Sequence, residues 1–416
     1  MTREENKHIN RAKWLFLILP FFALHQWAGN RPPIPFEQYL IWIINIIMLI
    51  SFWRLKPGKS EYNQPIIYGW FVFIALHFCY GIYMAEDYYD WKNLLNNVQS
   101  FLIPLCALAL YKPERLLPFL GFWLRNSWIV FIIGVCPFIS NSSAIGKFSA
   151  PFTIPLLFFP IISKRIRIIT IVVMLSVLIF AIGDRSDVIK ILVCAIIAIS
   201  LQFKVILRHL DGLIKIFRYF AFFAPFVFFI LGISGTFNVF NIEEYVKDVS
   251  RFAITNMSGE SENLTADTRT ILYEEAIVSS IKHNYYIQGR SMARGYDSPF
   301  FSYIYDTDKY KGNKPGERYA AESLIVTLFT YFGIIGVIFY FIIFLVGTKR
   351  AIYESNNIYV KMLGVYLSFR WMWLWVEDFV RFDMNTITLW IIFAMCLSPY
   401  FRNLTDVEFR KVMSKL

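Results

Sequence analysis

Charge is scarce in this chain. Only 17% of its 416 residues are Asp, Glu, Lys or Arg, against 57% hydrophobic residues. A soluble globular domain carries about 25% charged residues, so the composition excludes one. Cysteine is scarce too: Cys79, Cys106, Cys136, Cys194 and Cys396 all fall in apolar segments with no close pairing. They read as small buried hydrophobes, not as disulfides or a metal site. The histidines (His8, His25, His77, His209, His283) are few and scattered, which argues against a zinc centre. No internal repeat is visible, and that weakens a transporter built from duplicated halves. No small-residue cleavage site follows the first apolar run, Gln26-Trp27-Ala28-Gly29 being a poor match, so that run is expected to be a retained anchor.

What the chain does have is a series of apolar runs, with a mean hydropathy of +0.49. Twelve approach membrane-spanning length: 14–30, 36–53, 65–85, 94–111, 117–139, 148–162, 166–182, 187–203, 213–234, 322–346, 357–376 and 384–401. A few are short enough for half-spans or re-entrant pieces. Aromatics reach 19%, and Trp and Tyr cluster near many span ends, as an interfacial belt requires.

Lysine and arginine set the orientation. Alternate connections hold Arg54/Lys56/Lys59, Lys112/Arg115, Lys164/Arg165/Arg167, Lys204/Arg208/Lys215/Arg218 and Lys349/Arg350/Lys361, and both termini are basic. The intervening connections (30–35, 86–93, 140–147, 183–186, 377–383) are poor in positive charge. Both termini are therefore expected in the cytoplasm, and the net charge of +11 belongs to the inner membrane surface, with no call for nucleic acid. The expected fold is an all-α polytopic membrane protein of about twelve transmembrane helices. Residues 1–234 hold spans one to nine, 235–321 a large outer loop with helical content, and 322–416 spans ten to twelve and a cytoplasmic tail. The loop, 87 residues long, carries ten basic and twelve acidic side chains. Loops of this length are usually functional, and its balanced charge means that any anion site in it is local.

Three outward helix starts carry the candidate chemistry. In Gly183-Asp184-Arg185-Ser186-Asp187, Asp184 is an expected N-cap. An arginine in the first turn is unfavourable there unless an anion is present. Lys190 adds a charge at costly depth. The structural alternative is that Asp184 and Asp187 simply neutralise Arg185 and Lys190. In the loop, Asp267-Thr268-Arg269-Thr270 opens a helix expected to reach Lys282. Its packing face is Tyr273, Ala276, Ile277 and Ile281, and Glu274 and Glu275 are within pairing range of Arg269. The third start is Glu317-Arg318-Tyr319-Ala320-Ala321-Glu322-Ser323, where Glu322 is a first-turn cap or a general base. Cationic groups suit a diphosphate, and a carboxylate suits a hydroxyl nucleophile.

In these parts the chain resembles the O-antigen polymerase and O-antigen ligase family. The resemblance rests on Gly183-Asp184-Arg185-Ser186, Asp267-Thr268-Arg269-Thr270-Ile271-Leu272-Tyr273, Tyr286-Ile287-Gln288-Gly289-Arg290, and Glu322-Ser323-Leu324 running to Gly333-Ile334-Ile335-Gly336. It covers about residues 165 to 346. The resemblance implies a metal-independent, cofactor-free glycosyltransferase of a bacterial inner membrane, with the large loop periplasmic. The donor would be a polyprenyl-diphosphate-linked oligosaccharide and the acceptor a glycan hydroxyl, with membrane lipid and a chain-length regulator as further partners. Arg185, Arg269 and Arg290 would bind the diphosphate, and Glu322 would be the catalytic base, with His283 in reserve. Family ligases usually carry a histidine followed by asparagine where this chain has Glu322-Ser323, which favours a polymerase of O-antigen or capsule-type repeat units. A ligase or protein O-oligosaccharyltransferase using the same donor is the alternative.

Lys190, Arg318, Arg370 and Arg381 are candidates for lining the substrate path. The competing reading of another class, a lipid-linked glycan transporter or flippase, would use Arg125 and Arg370 as substrate charges. Trp371, Trp373 and Trp375 are expected to pack at the interface, and Tyr296, Phe300, Phe301, Tyr303 and Tyr305 to be the better candidates for stacking on sugar.

Overall fold

The computed structural model describes residues 2–23, 34, 36–56, 64–138, 143–181, 184–241, 253–255, 261–263, 267, 269–299, 314, 316–378 and 381–416. The fold is all-α, 77% helical. Before the polar stretch come α1 (Arg3–Ala23), α2 (Glu37–Leu55), α3 (Pro65–Met84), α4 (Tyr88–Phe101), α5 (Leu105–Ala109), α6 (Pro113–Val130), α7 (Ser143–Ser149), α8 (Thr153–Leu157), α9 (Lys164–Phe180), α10 (Arg185–Ser200) and α11 (Lys204–Ile233). Within it lies α12 (Thr270–Lys282), and after it α13 (Leu324–Tyr353), α14 (Ile358–Trp373), α15 (Met384–Leu397), α16 (Pro399–Asn403) and α17 (Asp406–Met413). Two short antiparallel strand pairs complete the stretch: β1 (Ala253–Thr255) with β2 (Ser261–Asn263), and β3 (Tyr296–Asp297) with β4 (Glu317–Arg318), Tyr296 facing Arg318.

Among the described residues five helices are long and apolar enough to cross a membrane: Glu37–Leu55, Pro65–Met84, Pro113–Ile133, Asp211–Ile233 and Leu324–Tyr353. They turn apolar side chains such as Val72, Leu76, Ile230 and Ile233 outward, as contact with hydrocarbon requires. Two of the expected spans are not single helices. Over 94–111, α4 stops at Phe101, the chain turns at Leu102–Pro104, and α5 runs for only five residues. Over 148–162, the path is divided among the end of α7, a 3₁₀ turn at Ala150–Phe152 and α8. Pro104, Pro151 and Pro155 stand in these stretches, and proline both removes a donor and crowds the preceding turn. Such backbone is tolerated at membrane depth only where protein surrounds it. The neighbouring helices meet that condition, since all of α5 and all of α15 are buried. The first expected span runs past Ala23 into residues 24–30, outside the described ones. Cys106, Cys194 and Cys396 are buried as expected, but Cys79 and Cys136 are exposed.

Polar contacts gather at the two ends of the bundle. At one end Arg115 pairs with Glu5 and donates to the Leu55 carbonyl, Lys361 meets Asp211 at 2.9 Å, and Arg402 meets Glu354 at 2.7 Å. At the other end Lys190 meets Glu377 at 2.7 Å and Lys314 meets Glu86 at 2.7 Å. The connections rich in lysine and arginine meet at the first end. The polar stretch docks on the second.

That docking depends on a break in α13. Gly333 has φ 61° and ψ −160°, a region open essentially to glycine. The segment Tyr285–Ser291 fills the break. The Arg290 and Ser291 amides donate to the Thr330 and Tyr331 carbonyls at 2.7 and 3.1 Å, and the Ile334 and Ile335 amides donate to the Tyr286 and Ile287 carbonyls at 3.0 and 3.3 Å. Backbone groups released by the break are thereby paired again. Gly289, with φ 80°, sits so close that a Cβ would stand 2.3 Å from the Tyr331 carbonyl oxygen.

Candidate functional site

The site is built around the carboxyl end of α14. A helix leaves its last carbonyls unpaired and carries partial negative charge there. Here each finds a donor. Leu374 O accepts from the Ile325 amide and Ser323 Oγ, both at 3.3 Å. Trp375 O accepts from Tyr273 Oη at 2.7 Å, Val376 O from Arg269 Nε at 3.1 Å, and Glu377 O from the Leu324 amide at 3.1 Å. The amino end of α13 and the start of α12 are thus tied to one helix terminus.

Asp267 is not the N-cap as expected, since Arg269 takes that position, but it holds the turn that leads into the helix. Its Oδ1 accepts from the Arg269 and Thr270 amides at 2.9 and 3.0 Å. The helix itself begins one residue later than Arg269 and ends at Lys282, as expected. Arg269 therefore escapes the first turn, and its cation faces the α14 carbonyls instead of an opposing dipole. Its guanidinium pairs with Glu322 and not with Glu274 or Glu275; Glu275 accepts from Ser298 Oγ. The packing face also differs: Leu272, Ala276, Ser279 and Ser280 are buried, and Ile281 is exposed.

Glu322 lies just before α13, whose N-cap is Ser323, so it is not a first-turn residue. Its side chain is 56% exposed and sits between Arg269 and Arg318, with Arg318 Nη2 at 3.5 Å. Arg318 Nε also donates to the Ala320 carbonyl at 3.2 Å. Glu322 and two of the predicted cations are brought together.

On the other side of Arg269 is a cavity of about 710 Å³. Arg185 lines it from the first position of α10, Arg269 from the N-cap of α12 and Glu274 from α12 itself, Phe228 and Phe229 from α11, and Trp373, Trp375 and Glu377 from the end of α14 and the turn after it. Tyr273 stacks on Trp375 with the rings 6.5 Å apart and 9° from parallel. Trp371, in contrast, is core, stacked on Phe222 at 5.7 Å. Asp184 also lines the cavity and makes no side-chain cap bond. Burial, with Asp187 adding to it, pushes the Asp184 carboxyl up to about 6 against the opposing charges of Lys147 and Lys190. Sequence reasoning saw Asp184 as a cap or a neutraliser of Arg185 and Lys190; its place in a cavity wall follows from packing that the local pattern does not carry.

Beneath the cavity floor lies a buried ionic cluster. Lys190 Nζ is 2.5 Å from Asp187 and 2.7 Å from Glu377, with Lys147 3.7 Å from Glu377. Lys190 is thus held by carboxylates in the way the structural alternative expects. Arg370 is 2% exposed within α14 and donates to Tyr366 Oη at 3.0 Å. Arg381 is exposed, and its carbonyl accepts from the Asp383 amide at 2.9 Å. Neither Arg370 nor Arg381 lines the cavity.

Arg290 stands apart from the cavity. Its guanidinium donates to Gly295 O and Asp297 Oδ1, both at 2.8 Å, and lies 3.3 Å from Glu317. His283 and Lys282 share Asp297 at 2.8 and 2.7 Å. Against the partial burial that would raise it, these hydrogen bonds hold the Asp297 carboxyl well below the usual carboxylate range. Next to this group, Arg294 meets Glu317 at 2.5 Å and Glu86 at 3.2 Å, and Tyr319 Oη donates to buried Asp90 at 3.0 Å. The acidic run at Glu86–Asp90 anchors the polar stretch, a role its sequence alone did not signal. Tyr296 is buried behind β3; Phe300, Phe301, Tyr303 and Tyr305 lie outside the described residues. Two sequence motifs far apart in the chain, 286–290 and 333–336, meet directly at the break in α13.

Among the described residues no group of three or more His, Cys, Asp or Glu could hold a metal ion. No protein family and no curated protein matches the chain.

Proposed function

We propose that this chain is a membrane glycosyltransferase that moves a glycan from a polyprenyl diphosphate to an acceptor sugar hydroxyl, polymerising surface-polysaccharide repeat units. The observation that carries the reading is one cavity with Arg185 and Arg269 on its wall, from two separate helices, among apolar and aromatic side chains. Paired guanidiniums bind diphosphate oxygens by charge-assisted bonds, and apolar walls from α11 suit a prenyl chain. On this reading both termini are cytoplasmic and this end of the bundle faces the periplasm, where no nucleotide donor is needed.

In the reaction the acceptor oxygen attacks the anomeric carbon while the bond from that carbon to the diphosphate oxygen breaks. The bonding pair leaves with the lipid diphosphate, whose growing charge Arg185 and Arg269 stabilise. Glu322, across Arg269 from the cavity, takes the hydroxyl proton; Asp184, Glu274 and Glu377 are the carboxylates on the cavity wall. Arg290 has no part in diphosphate binding on this account, and Arg318 serves to hold Glu322. A flippase reading finds less support, because neither Arg125 nor Arg370 lines the cavity.

The test is purified protein in nanodiscs with lipid-linked repeat unit as the sole substrate. A ladder of multimers is expected. Product only after a separate lipid or protein acceptor is added would indicate a ligase, and no transfer to any acceptor with intact donor would contradict the enzyme reading.

A further inference from the structure

Helix α12 is built inside out for a helix in water. Its protein-facing side carries one large apolar residue, Leu272, with Ala276, Ser279 and Ser280, and the serines are bonded within the fold: Ser279 Oγ accepts from Tyr285 Oη and the Asp297 amide, and Ser280 Oγ donates to Ile277 O. Its outer side carries Ile271, Val278 and Ile281, the last two each 64% exposed, with exposed Glu274 on the same side towards the cavity. These recur at helical spacing along one stripe. Just beyond the helix, Tyr286 and Ile287 are exposed as well.

The stripe continues onto a candidate membrane span. The Tyr286 and Ile287 carbonyls are bonded to the Ile334 and Ile335 amides of α13, and Ile334, Ile335 and Ile338 are themselves exposed. An apolar patch of this extent is rare on a water-facing surface.

Helix lengths fix how α12 lies. The part of α13 after its break, Ile334–Tyr353, is about 30 Å long, the thickness of the hydrocarbon core. α14 with its terminal turn covers nearly the same distance. The two are joined by a short turn at one end, and at the other the Leu324 amide reaches Glu377 O at 3.1 Å. The part before the break, Leu324–Phe332, about 13 Å long, therefore crosses the end of the bundle instead of extending it. α12 follows the same course, since Tyr273 Oη is 3.1 Å from Ser323 Oγ near its start and the segment after it enters the break at Gly333.

We propose that α12 and Tyr286–Ile287 are an interfacial element whose isoleucine and valine stripe rests in the acyl layer of the leaflet at this end of the bundle. Lys282, 65% exposed at the helix end and paired with Asp297 at 2.7 Å, sits at headgroup level, where basic side chains are favoured. The polar stretch is then partly a membrane-seated platform, and a site beside Arg269 lies at headgroup depth. This inference rests on the long helices crossing a membrane and holds whatever reaction the site performs.

Nitroxide labels at Ile281→Cys, Ile287→Cys and Val278→Cys, each in a Cys79→Ser, Cys136→Ser background in nanodiscs, test it. Relaxation by oxygen should exceed relaxation by a water-soluble nickel complex several-fold at all three, as at an Ile338→Cys reference within the span. Lys282→Cys should show the reverse. Dominance of nickel at Ile281 and Ile287 would place the stripe in water and overturn the proposal. Protection from both agents would mean cover by protein, another segment or a second copy, and would overturn it equally.

Discussion

Replacing Arg269 by alanine should abolish glycan transfer. A positioned donor to developing negative charge contributes about 100- to 1,000-fold in rate, and Arg269 also fixes Glu322, so the loss should reach the upper end. The same change removes a donor from the Val376 carbonyl, which costs about 1–2 kcal/mol of stability; protein level and melting must be read alongside activity. Arg185→Ala, which alters a residue exposed at the first turn of α10, should lose transfer to a similar degree, again read against protein level and melting. Arg269→Lys keeps the charge but not the planar fork and should retain a small part of the rate. Arg290→Ala should behave oppositely. It takes one cationic partner from Asp297, which keeps Lys282 and His283, and one from Glu317, which keeps Arg294. The lost hydrogen bonds cost about 1–3 kcal/mol, so the change should lower the amount of folded protein while the folded fraction still transfers glycan. Equal specific activity of the Arg185→Ala protein and the wild type would remove the diphosphate role.

The second large effect is expected where the polar stretch enters α13. A Cβ on Gly333 would stand 2.1 Å from the Ile287 carbonyl oxygen, and one on Gly289 would stand 2.3 Å from Tyr331 backbone atoms. Both residues have positive φ, so alanine meets conformational strain and backbone contact together. Gly289→Ala and Gly333→Ala should each destabilise the protein by about 3 kcal/mol or more. They should also open residues 283–299 to protease at temperatures where the wild type resists. Gly316 supplies the control: its φ is 78° but nothing lies within 4 Å of a Cβ there, so alanine should cost only about 1 kcal/mol. Equal protease resistance of the Gly333→Ala and wild-type proteins would show that the docking is not what holds the stretch.

What could be read in the sequence follows the range of the interactions. The end of α12 is as expected, and Asp267 bonds the amides next to it as its spacing suggests, although the helix starts later and takes Arg269 as its N-cap. The long spans were legible because hydropathy measures transfer to lipid. Hydropathy is blind, however, to whether an apolar run faces lipid or protein, so 94–111 and 148–162 looked like spans although the chain breaks them inside the bundle. The same blindness hid the outward stripe of α12: periodicity marks one apolar face but not what covers it. Arg269 and Glu322 were expected in one layer and form an ion pair. Arg290 was expected beside them, but Asp297 and Glu317 claim it, and no local pattern announces partners that a strand pair brings together. Asp184 looked like a cap because its spacing suits one, while the cavity it lines is assembled from four helices.

The central claim is that Arg185 and Arg269 seat a lipid diphosphate in the cavity among α10, α11, α12 and α14. A photoreactive polyprenyl diphosphate, cross-linked in nanodiscs and mapped by peptide mass spectrometry, tests it most directly. The account expects adducts on α11 between Pro225 and Ile233 and on α14 at Met372–Val376. Unlabelled diphosphate should compete for them better than the corresponding monophosphate, and the Arg185→Ala, Arg269→Ala double variant should lose them. Adducts elsewhere on the protein, or labelling of the cavity that ignores both arginines, would contradict it.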